Sequence, residues 1–238
     1  MKLALLGYGR MGRVVEALAR SAGYEVGAIV RSHNESQAGR LLSGHDVAID
    51  FSAPGAVVAH VQAALAAAVP LVEGTTGWQA QEPEVRRLVE QRGTALVYGA
   101  NFSVGAHVFF RIVERAGELF RGAGGYDAFI EEAHHATKRD APSGTALVLK
   151  DILARQLSRT DIPVASTRAG TIPGTHRVGF DSPGDEILLT HTARNREAFA
   201  AGALLAARWV VGRPGGGGRM YTFAQVLDDV LTNGGEAV

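Results

Sequence analysis

The sequence predicts an α/β protein in which a Rossmann-like, doubly wound parallel sheet is joined to an inserted α+β domain with a mixed sheet. Three observations carry this prediction. Short apolar runs alternate with helical patterns through about the first hundred residues, and a glycine-rich turn follows the first of these runs. After residue 103 the alternation stops, and strand-like runs follow one another with no helix between them.

The composition is that of an ordinary folded protein, and it excludes several classes of function. Of 238 residues, 46% are hydrophobic and 20% charged, and 24 Lys and Arg balance 24 Asp and Glu. No charge excess points to nucleic acid or an acidic membrane surface, and no apolar run is long enough for a transmembrane helix or a signal peptide. Without cysteine, disulfides and thiol catalysis are excluded. We therefore expect a cytoplasmic protein with a small-molecule partner and no binding to nucleic acid or membrane.

The glycine-rich turn is a dinucleotide fingerprint in the context that such a fingerprint requires. A short apolar strand at residues 2–6 precedes Gly7-Tyr8-Gly9-Arg10-Met11-Gly12, and an amphipathic helical pattern follows it. Gly7 makes the tight turn, Gly9 lets a pyrophosphate approach the backbone, and Gly12 lets the helix pack on the strand. The alternative is a turn without a ligand, in a chain that contains 30 glycines.

The second strand, at residues 26–30, ends in Arg31, where a fold that prefers NAD usually carries an acid. An acid accepts a hydrogen bond from the ribose 2′-hydroxyl, whereas the planar fork of arginine pairs with a 2′-phosphate. The sequence therefore predicts that NADPH is preferred over NADH. The alternative is that Arg31 is a solvated cation in a loop.

Three more strands complete the predicted parallel sheet, at residues 48–51, 70–73 and 95–98, with helices at 54–65 and 82–92. The fourth strand ends in a polar turn with Gly74, Thr75 and Thr76, which belongs at the ligand-facing carboxyl edge of the sheet. The fifth strand is followed by Gly99, Ala100, Asn101 and Phe102.

The second half of the chain has a different order of elements. The patterns predict helices at residues 104–120, 143–158, 196–211 and 221–231, strands at 126–131, 166–168, 176–180 and 186–192, and a flexible linker at 212–218. Because consecutive strands lack helical connections, the sheet should be mostly antiparallel or mixed. The predicted domains are 1–102, to which 216–238 return, and 103–215.

Residues 131–146 concentrate charge in a chain whose net charge is zero. His134, His135, Lys138 and Arg139 lie within six consecutive positions, and imidazole and ammonium groups can deliver a proton. The alternatives are one packed and one solvated histidine beside a solvated turn, or a metal site, which the two cations disfavour.

A helix is predicted to begin directly after these cationic residues, capped by Ser143 or Asp140. Its first amides, around Gly144 and Thr145, offer donors at the positive end of the helix dipole and so form an anion site. Together with the cations, they predict a pocket for a small molecule with more than one carboxylate.

Several stretches resemble the dihydrodipicolinate reductases of bacterial lysine biosynthesis. They are residues 7–12 (GYGRMG), 50–54 (DFSAP), 73–77 (EGTTG), 101–105 (NFSVG), 132–146 (EAHHATKRDAPSGTA) and 194–203. The resemblance covers nearly the whole chain. It implies an oxidoreductase that uses NADPH or NADH to reduce 4-hydroxy-tetrahydrodipicolinate, through dihydrodipicolinate, to tetrahydrodipicolinate.

The resemblance also implies roles for particular residues. His134 would be the proton donor or acceptor and Lys138 a second proton donor, while His135, Gly144 and Thr145 would bind substrate. The residues implied to bind the cofactor are Gly7, Tyr8, Gly9, Arg10, Met11, Gly12, Gly74, Thr75, Thr76, Gly99, Ala100, Asn101 and Phe102. It further implies a homotetramer joined through the sheets of the second domains, with no metal.

The chain departs from the family pattern in two places. The segment between Arg31 and Asp50 is shorter than expected. In addition, Arg31 replaces the expected acid, which argues against the family's usual use of both NADH and NADPH. Two other functions are open: a different nicotinamide oxidoreductase on the same plan, such as a semialdehyde or amino-acid dehydrogenase, and a non-catalytic nucleotide sensor.

Overall fold

The computed structural model describes residues 1–213 and 218–232, and the chain divides into two compact units. The first unit contains Met1–Val104 and the chain from Arg196 onward, and the second contains Gly105–Asn195. The first unit thus begins and ends the chain, and the second is an insertion in it.

The strands and helices occur largely where the sequence predicts them. The strands are β1 (Lys2–Leu6), β2 (Glu25–Val30), β3 (Val47–Asp50), β4 (Leu71–Glu73), β5 (Leu96–Tyr98), β6 (Asp127–His134), β7 (Val164–Arg168), β8 (Gly174–Asp181), β9 (Glu186–Ala193) and β10 (Met220–Thr222). The helices are α1 (Arg10–Ser21), α2 (Ala38–Leu42), α3 (Val57–Ala66), α4 (Glu82–Arg92), α5 (Val104–Ala123), α6 (Gly144–Leu157), α7 (Glu197–Val211) and α8 (Phe223–Thr232). Across the described residues, no helix combines the length and apolarity that crossing a membrane requires.

The first unit is a doubly wound parallel sheet, as predicted. Its six strands lie in the order β10-β5-β4-β3-β1-β2, and every neighbouring pair is parallel. Successive side chains of β1 point to opposite faces: Leu3 and Leu5 pack with α1, α7 and α8, whereas Ala4 and Leu6 pack with α2, α3 and α4. A sheet covered on both faces explains why its strands are continuous apolar runs in the sequence.

The prediction that residues 221–231 form one helix is partly wrong. Met220–Thr222 forms the sixth strand, β10, which extends the sheet beside β5, and the helix begins only at Phe223. Three residues are too few to show a strand period, so the pattern of the longer helix hid the strand. Of the predicted linker at 212–218, residues 214–217 lie outside the described residues.

The boundary between the units also differs from the predicted one. Residues 196–213, predicted to belong to the second domain, belong to the first unit. The reason is the burial of α7: Ala203, Leu204, Ala207 and Val210 join the apolar cluster that also contains residues of β1 and β3. This helix is therefore apolar along most of its length because it packs on the parallel sheet.

The second unit is built on a four-stranded mixed sheet in the order β7-β6-β8-β9. Strands β6 and β7 are parallel, whereas β6 with β8 and β8 with β9 are antiparallel. One face carries the core, where Ile130 and Val178 pack with side chains of α5 and α6. On β9, Ile187 and Leu188 are exposed. The inward-facing alternation along β6 continues from Ile130 to Glu132 and so brings a carboxylate to the buried face.

Candidate active site

The glycine-rich turn has the close contacts that its glycines predict. Gly7 has a φ of +80°, and a Cβ atom there would lie 2.6 Å from the Phe51 carbonyl oxygen. A Cβ on Gly12 would lie 2.4 Å from the Gly7 carbonyl oxygen, so α1 can approach the turn this closely only because residue 12 is a glycine. Around Gly9, no atom of the described residues lies within 4 Å of the position a Cβ would take. The turn therefore leaves open space beside Gly9, as a phosphate-binding turn requires.

Arg31 lies at the predicted place, beside the same turn. Its guanidinium carbon is 4.4 Å from the centre of the Tyr8 ring, and that of Arg13 is 5.6 Å from it. The Tyr8 hydroxyl donates to Glu16, and this hydrogen bond, followed by that from Arg20, lowers the pKa of Glu16. Two cations thus meet over one aromatic ring, and Arg13 is the member that the sequence analysis missed.

The turns after β3 and β4 are held by buried polar groups. The Thr75 amide donates to Glu73 over 2.7 Å, and the Thr75 hydroxyl lies 3.4 Å from Asp50. Asp50 and Glu73 are both fully buried. Burial, reinforced by the charge of Asp50, raises the pKa of Glu73 well above its ordinary value.

The turn after β5 is joined to its neighbour by one backbone hydrogen bond, from the Gly99 amide to the Glu73 carbonyl over 3.2 Å. The Asn101 side chain accepts from the Ser103 amide over 2.8 Å. Phe102 is buried, and its ring packs 4.7 Å from that of Phe223. The structure therefore brings residues 7–12, 74–76 and 99–102 to the carboxyl edge of one sheet, with the Phe102 side chain in the core.

In the second unit, His134 is the last residue of β6 and is held by a buried carboxylate. Its Nδ1 lies 2.5 Å from Oε2 of Glu132, two positions earlier on the same face of the strand. The other oxygen, Oε1, accepts from the Arg168 guanidinium over 2.6 Å. Parallel pairing of β6 and β7 places Arg168 directly opposite His134. Arg168, Glu132 and His134 thus form a continuous chain of charge-assisted hydrogen bonds.

The protonation of this chain follows from its surroundings. Burial favours the neutral form of Glu132, but hydrogen bonds, that from Arg168 first, hold its pKa at about 2. An ionised Glu132 accepts only, so His134 carries its hydrogen on Nδ1. Burial lowers the pKa of His134, and the charges of Lys138 and Arg168 lower it further. The hydrogen bond and charge of Glu132 raise this pKa, but the net shift is downward.

Lys138 lies on the loop that follows β6, and its ammonium is paired with a carboxylate that the sequence analysis did not assign to it. Its Nζ is 2.8 Å from both oxygens of Asp140, which lowers the pKa of that carboxyl. Arg168 also donates to the Asp140 carbonyl over 2.5 Å, so the loop is tied to β7. His135 is partly exposed, and its Nδ1 lies 2.7 Å from the Thr137 hydroxyl.

The predicted helix start is present, and Ser143 is its cap. The Ser143 hydroxyl accepts from the Ala146 amide over 3.2 Å, while Gly144 is exposed and Thr145 partly exposed. The same hydroxyl is 3.1 Å from Nε2 of His176, whose pKa is lowered to about 4, mainly by burial. The ring of His176 packs edge-on against that of His134, with centres 5.2 Å apart.

Sequence reasoning missed Glu132, Arg168 and His176 as parts of the site. Glu132 lies inside the charged stretch, two positions before His134, which is the spacing that places two side chains on one face of a strand. Extending the predicted strand from residue 131 to 134 would have revealed this pair. Arg168 and His176 carry no local signal, because only the pairing of β6 with β7 and β8 brings them to the site.

Comparison with known proteins gives matches over nearly the whole chain. The family profile described as "Dihydrodipicolinate reductase, N-terminus" matches residues 1–102, and "Dihydrodipicolinate reductase, C-terminus" matches residues 105–227. A 4-hydroxy-tetrahydrodipicolinate reductase of Christiangramia forsetii is 34% identical over 245 residues, covering 98% of this chain and 100% of that protein. A reductase of the same name from Xylella fastidiosa is 40% identical over 228 residues, covering 89% and 94%.

Solved structures share the fold. The dipicolinate-bound dihydrodipicolinate reductase from Paenisporosarcina sp. TG-14 has a TM-score of 0.76 at 22% identity, covering 93% of this chain and 97% of that one. The amine dehydrogenase of Mycobacterium smegmatis has a TM-score of 0.62 at 12% identity, covering 94% and 95%.

A parallel sheet with a dinucleotide turn, joined to a unit with a mixed sheet, is the plan of an oxidoreductase that uses a nicotinamide cofactor. With both profiles and relatives above 30% identity matching nearly the whole chain, it belongs to the dihydrodipicolinate reductase family. It is accordingly an enzyme of lysine and diaminopimelate biosynthesis.

Replacing Glu132 by Gln should destabilise the protein by about 3 kcal/mol at neutral pH, because the change breaks a buried ion pair. It should also lower the pKa of His134 further, since the Glu132 carboxylate opposes the shift. The carboxylate stabilises the fold above its ordinary pKa of 4.5, so the difference in stability should shrink as pH falls from 4.5 towards 2. Thermal unfolding and NMR titration of the histidine ring protons measure the two effects.

The matched control is Glu131→Gln, one position away on the opposite face of β6. Glu131 is half exposed and lies 3.5 Å from Arg177, so its loss should change stability by less than about 1 kcal/mol. Equal effects of the two substitutions would contradict the role given to Glu132.

Proposed function

We propose that this protein catalyses the reduction of 4-hydroxy-tetrahydrodipicolinate, through dihydrodipicolinate, to tetrahydrodipicolinate, with NADPH preferred over NADH. The observation that carries the proposal is the Arg168–Glu132–His134 chain, which presents an oriented imidazole in the same unit as a cationic loop and an open helix start. A nucleotide sensor would have no use for an imidazole held in this way beside an anion site.

The cofactor would be held by residues 7–12, 74–76 and 99–102, with Arg31 at the adenosine ribose. The open space at Gly9 fits a pyrophosphate, and the first amides of α1 face the same turn. When bound, the nicotinamide supplies the hydride that reduces the substrate ring.

The substrate, a planar ring with two carboxylates, would be held by His135, Lys138, Gly144 and Thr145. The first amides of α6 donate to one carboxylate, and the exposed Gly144 lets that carboxylate approach the backbone. The Lys138 ammonium, paired with Asp140, can exchange that partner for a substrate carboxylate, because Asp140 is exposed to solvent.

Completing the two-electron reduction requires one proton on the substrate ring after hydride addition, and His134 is placed to provide it. Because Nδ1 donates to Glu132, the proton for the substrate must come from Nε2 of the doubly protonated ring, which is left neutral after the transfer, and Glu132 fixes the orientation of the ring. Lys138 is the second group able to donate this one proton. Glu132, His134 and His176 also offer atoms within 4.8 Å of one another, a spacing that suits a metal. We favour proton transfer because the Arg168 cation already pairs with Glu132.

Replacing His134 by Gln should lower kcat for NADPH oxidation by roughly two to four decades, the usual contribution of general acid catalysis, with a smaller effect on NADPH affinity. Steady-state assays with freshly generated substrate measure both. His45→Gln, the same change in the first unit, should leave kcat within about twofold. Turnover like that of the wild type in the His134 variant would exclude the proposed role.

The preference for NADPH should depend on Arg31. Charge-assisted hydrogen bonds to a 2′-phosphate contribute roughly 1.5–3 kcal/mol each, so we expect about a tenfold or larger ratio of kcat/KM for NADPH over NADH. Solvent screening of the exposed Arg31 side chain reduces this value. Arg31→Glu should reverse the order, whereas Arg40→Glu, a charge reversal on α2, should not. An unchanged ratio in the Arg31 variant, or equal use of NADH by the wild type, would refute this assignment.

The protein should be a homotetramer joined through the sheets of its second units. In support, Leu188 lies opposite Gly179 on the face of the sheet that points away from the helices, and it is exposed to solvent in the single chain. Light scattering at micromolar concentration should give about four times the 25.0 kDa chain mass, and Leu188→Lys should reduce it. A stable monomer in the wild type would contradict the proposal.

A further inference from the structure

Asp50 is a buried acid that the proposed chemistry does not use. It is the last residue of β3, in the middle of the parallel sheet, and it is fully buried. Burying a carboxylate is costly unless hydrogen bonds and an opposite charge compensate for it. One of the groups that compensate for Asp50, the Thr75 hydroxyl, belongs to a turn implied in cofactor binding.

The Asp50 carboxylate has three partners in three segments. Oδ1 accepts from the Ser52 amide over 2.8 Å and lies 3.4 Å from the Thr75 hydroxyl. Oδ2 lies 2.6 Å from Nδ1 of His60, which is buried on α3. The Thr75 hydroxyl in turn accepts from the Ser52 amide over 3.2 Å, so Ser52 and Thr75 are held against each other.

The turn that Asp50 holds is packed against both neighbouring turns. Gly7 approaches Phe51 and Ser52 so closely that a Cβ atom would lie 2.6 Å from each of them. On the other side, a Cβ on Gly74 would lie 2.2 Å from the Phe51 ring. A shift of the Phe51–Ser52 backbone would therefore displace the glycine-rich turn and the turn after β4 together.

The charge state supports this arrangement. Burial favours neutral His60, but the hydrogen bond and charge of Asp50, together with the charge of Glu35, raise the pKa of His60. Glu35 lies 3.6 Å from Nε2 of His60. The His60 ring on α3 thus lies between two carboxylates, one at the end of β3 and one in the turn before α2.

We propose that Asp50 is a positioning residue for the nicotinamide cofactor, which holds the turns at Gly7, Ser52 and Thr75 in the spacing that the cofactor needs. The proposal rests on the cofactor contacts given under Proposed function and adds to them a residue that does not touch the cofactor. In this proposal, the pairing of Asp50 with His60 increases the affinity for the cofactor.

Asp50→Asn keeps the shape of the side chain and removes its charge. The dissociation constant for NADPH, titrated by nicotinamide fluorescence without substrate, should rise roughly tenfold, the usual effect of losing a hydrogen bond to a charged group. KM for NADPH should rise by a similar factor, while kcat changes by less than about threefold. The matched control is Asp46→Asn at the opposite end of β3, where the carboxylate accepts from the Lys2 amide. This control should leave the dissociation constant within about twofold.

A purely structural role for Asp50 would lower Tm and the active fraction but leave the dissociation constant of the folded enzyme unchanged, and that result would overturn the proposal. If Asp50→Asn does not fold, His60→Gln decides the question, because it keeps a donor for Asp50 while removing the charge. It should raise the dissociation constant several-fold, and an unchanged value would equally overturn the proposal.

Gly9→Val separates this inference from the proposed function, because it fills the open space at the turn without touching Asp50. If Gly9→Val prevents NADPH binding and Asp50→Asn weakens it, both stand. If Gly9→Val prevents binding and the Asp50 and Asp46 variants bind equally well, only the positioning role fails. If Gly9→Val leaves binding unchanged, the cofactor does not lie at this turn, and both assignments fail.

Discussion

The geometry of the second unit depends on the burial of one charge, that of Glu132. A carboxylate on the core face of a sheet is tolerated only where cations and donors surround it, and Arg168 and His134 provide them here. Compensation of this charge fixes the register of β6 against β7, since a shift by one residue would turn Glu132 to the opposite face. It also anchors the loop that carries Lys138, because Arg168 bonds to the Asp140 carbonyl as well as to Glu132. The orientation of His134 and the course of the cationic loop thus follow from the same ion pair.

The first unit uses the same physical device in a different place. Asp50 is buried at the carboxyl end of β3, paired with a histidine and bonded to the backbone of the turn that follows. Glu73 is buried at the corresponding end of β4, and its carboxyl group accepts from the Thr75 amide. In a parallel sheet the strand ends are where backbone amides lose their ladder partners, so an acid at that position can fix the shape of the next turn. Turns fixed in this way need not be ordered when a ligand binds, which lowers the entropic cost of binding.

The sequence predicted the parts of the fold and site that are encoded locally. The parallel sheet followed from the apolar strands and from Gly7 to Gly12, and the capped start of α6 followed from Ser143, because caps and turns have their own residue signatures. The parts that were missed depend on distant pairing. Arg168 is 36 positions from Glu132 and meets it only through the parallel pairing of β6 and β7. The three residues of β10 acquire their structure from β5, and α7 was assigned to the wrong unit because its apolar pattern does not say which sheet covers it.

Two histidines show how surroundings decide what the same local contact does. His134 and His60 each place Nδ1 against a buried carboxylate, at 2.5 and 2.6 Å. Burial works against the charged form of both, yet the pKa of His134 is lowered and that of His60 is raised. The difference lies in the other charges: Lys138 and Arg168 repel a proton on His134, whereas Glu35 attracts one to His60. Because Glu132 shares its charge with Arg168, it orients the His134 ring without holding the proton there. Asp50 and Glu35 together favour the protonated form of His60. A lowered pKa makes an imidazole give up its proton more readily, and a raised pKa favours the ion pair that His60 forms at the end of β3.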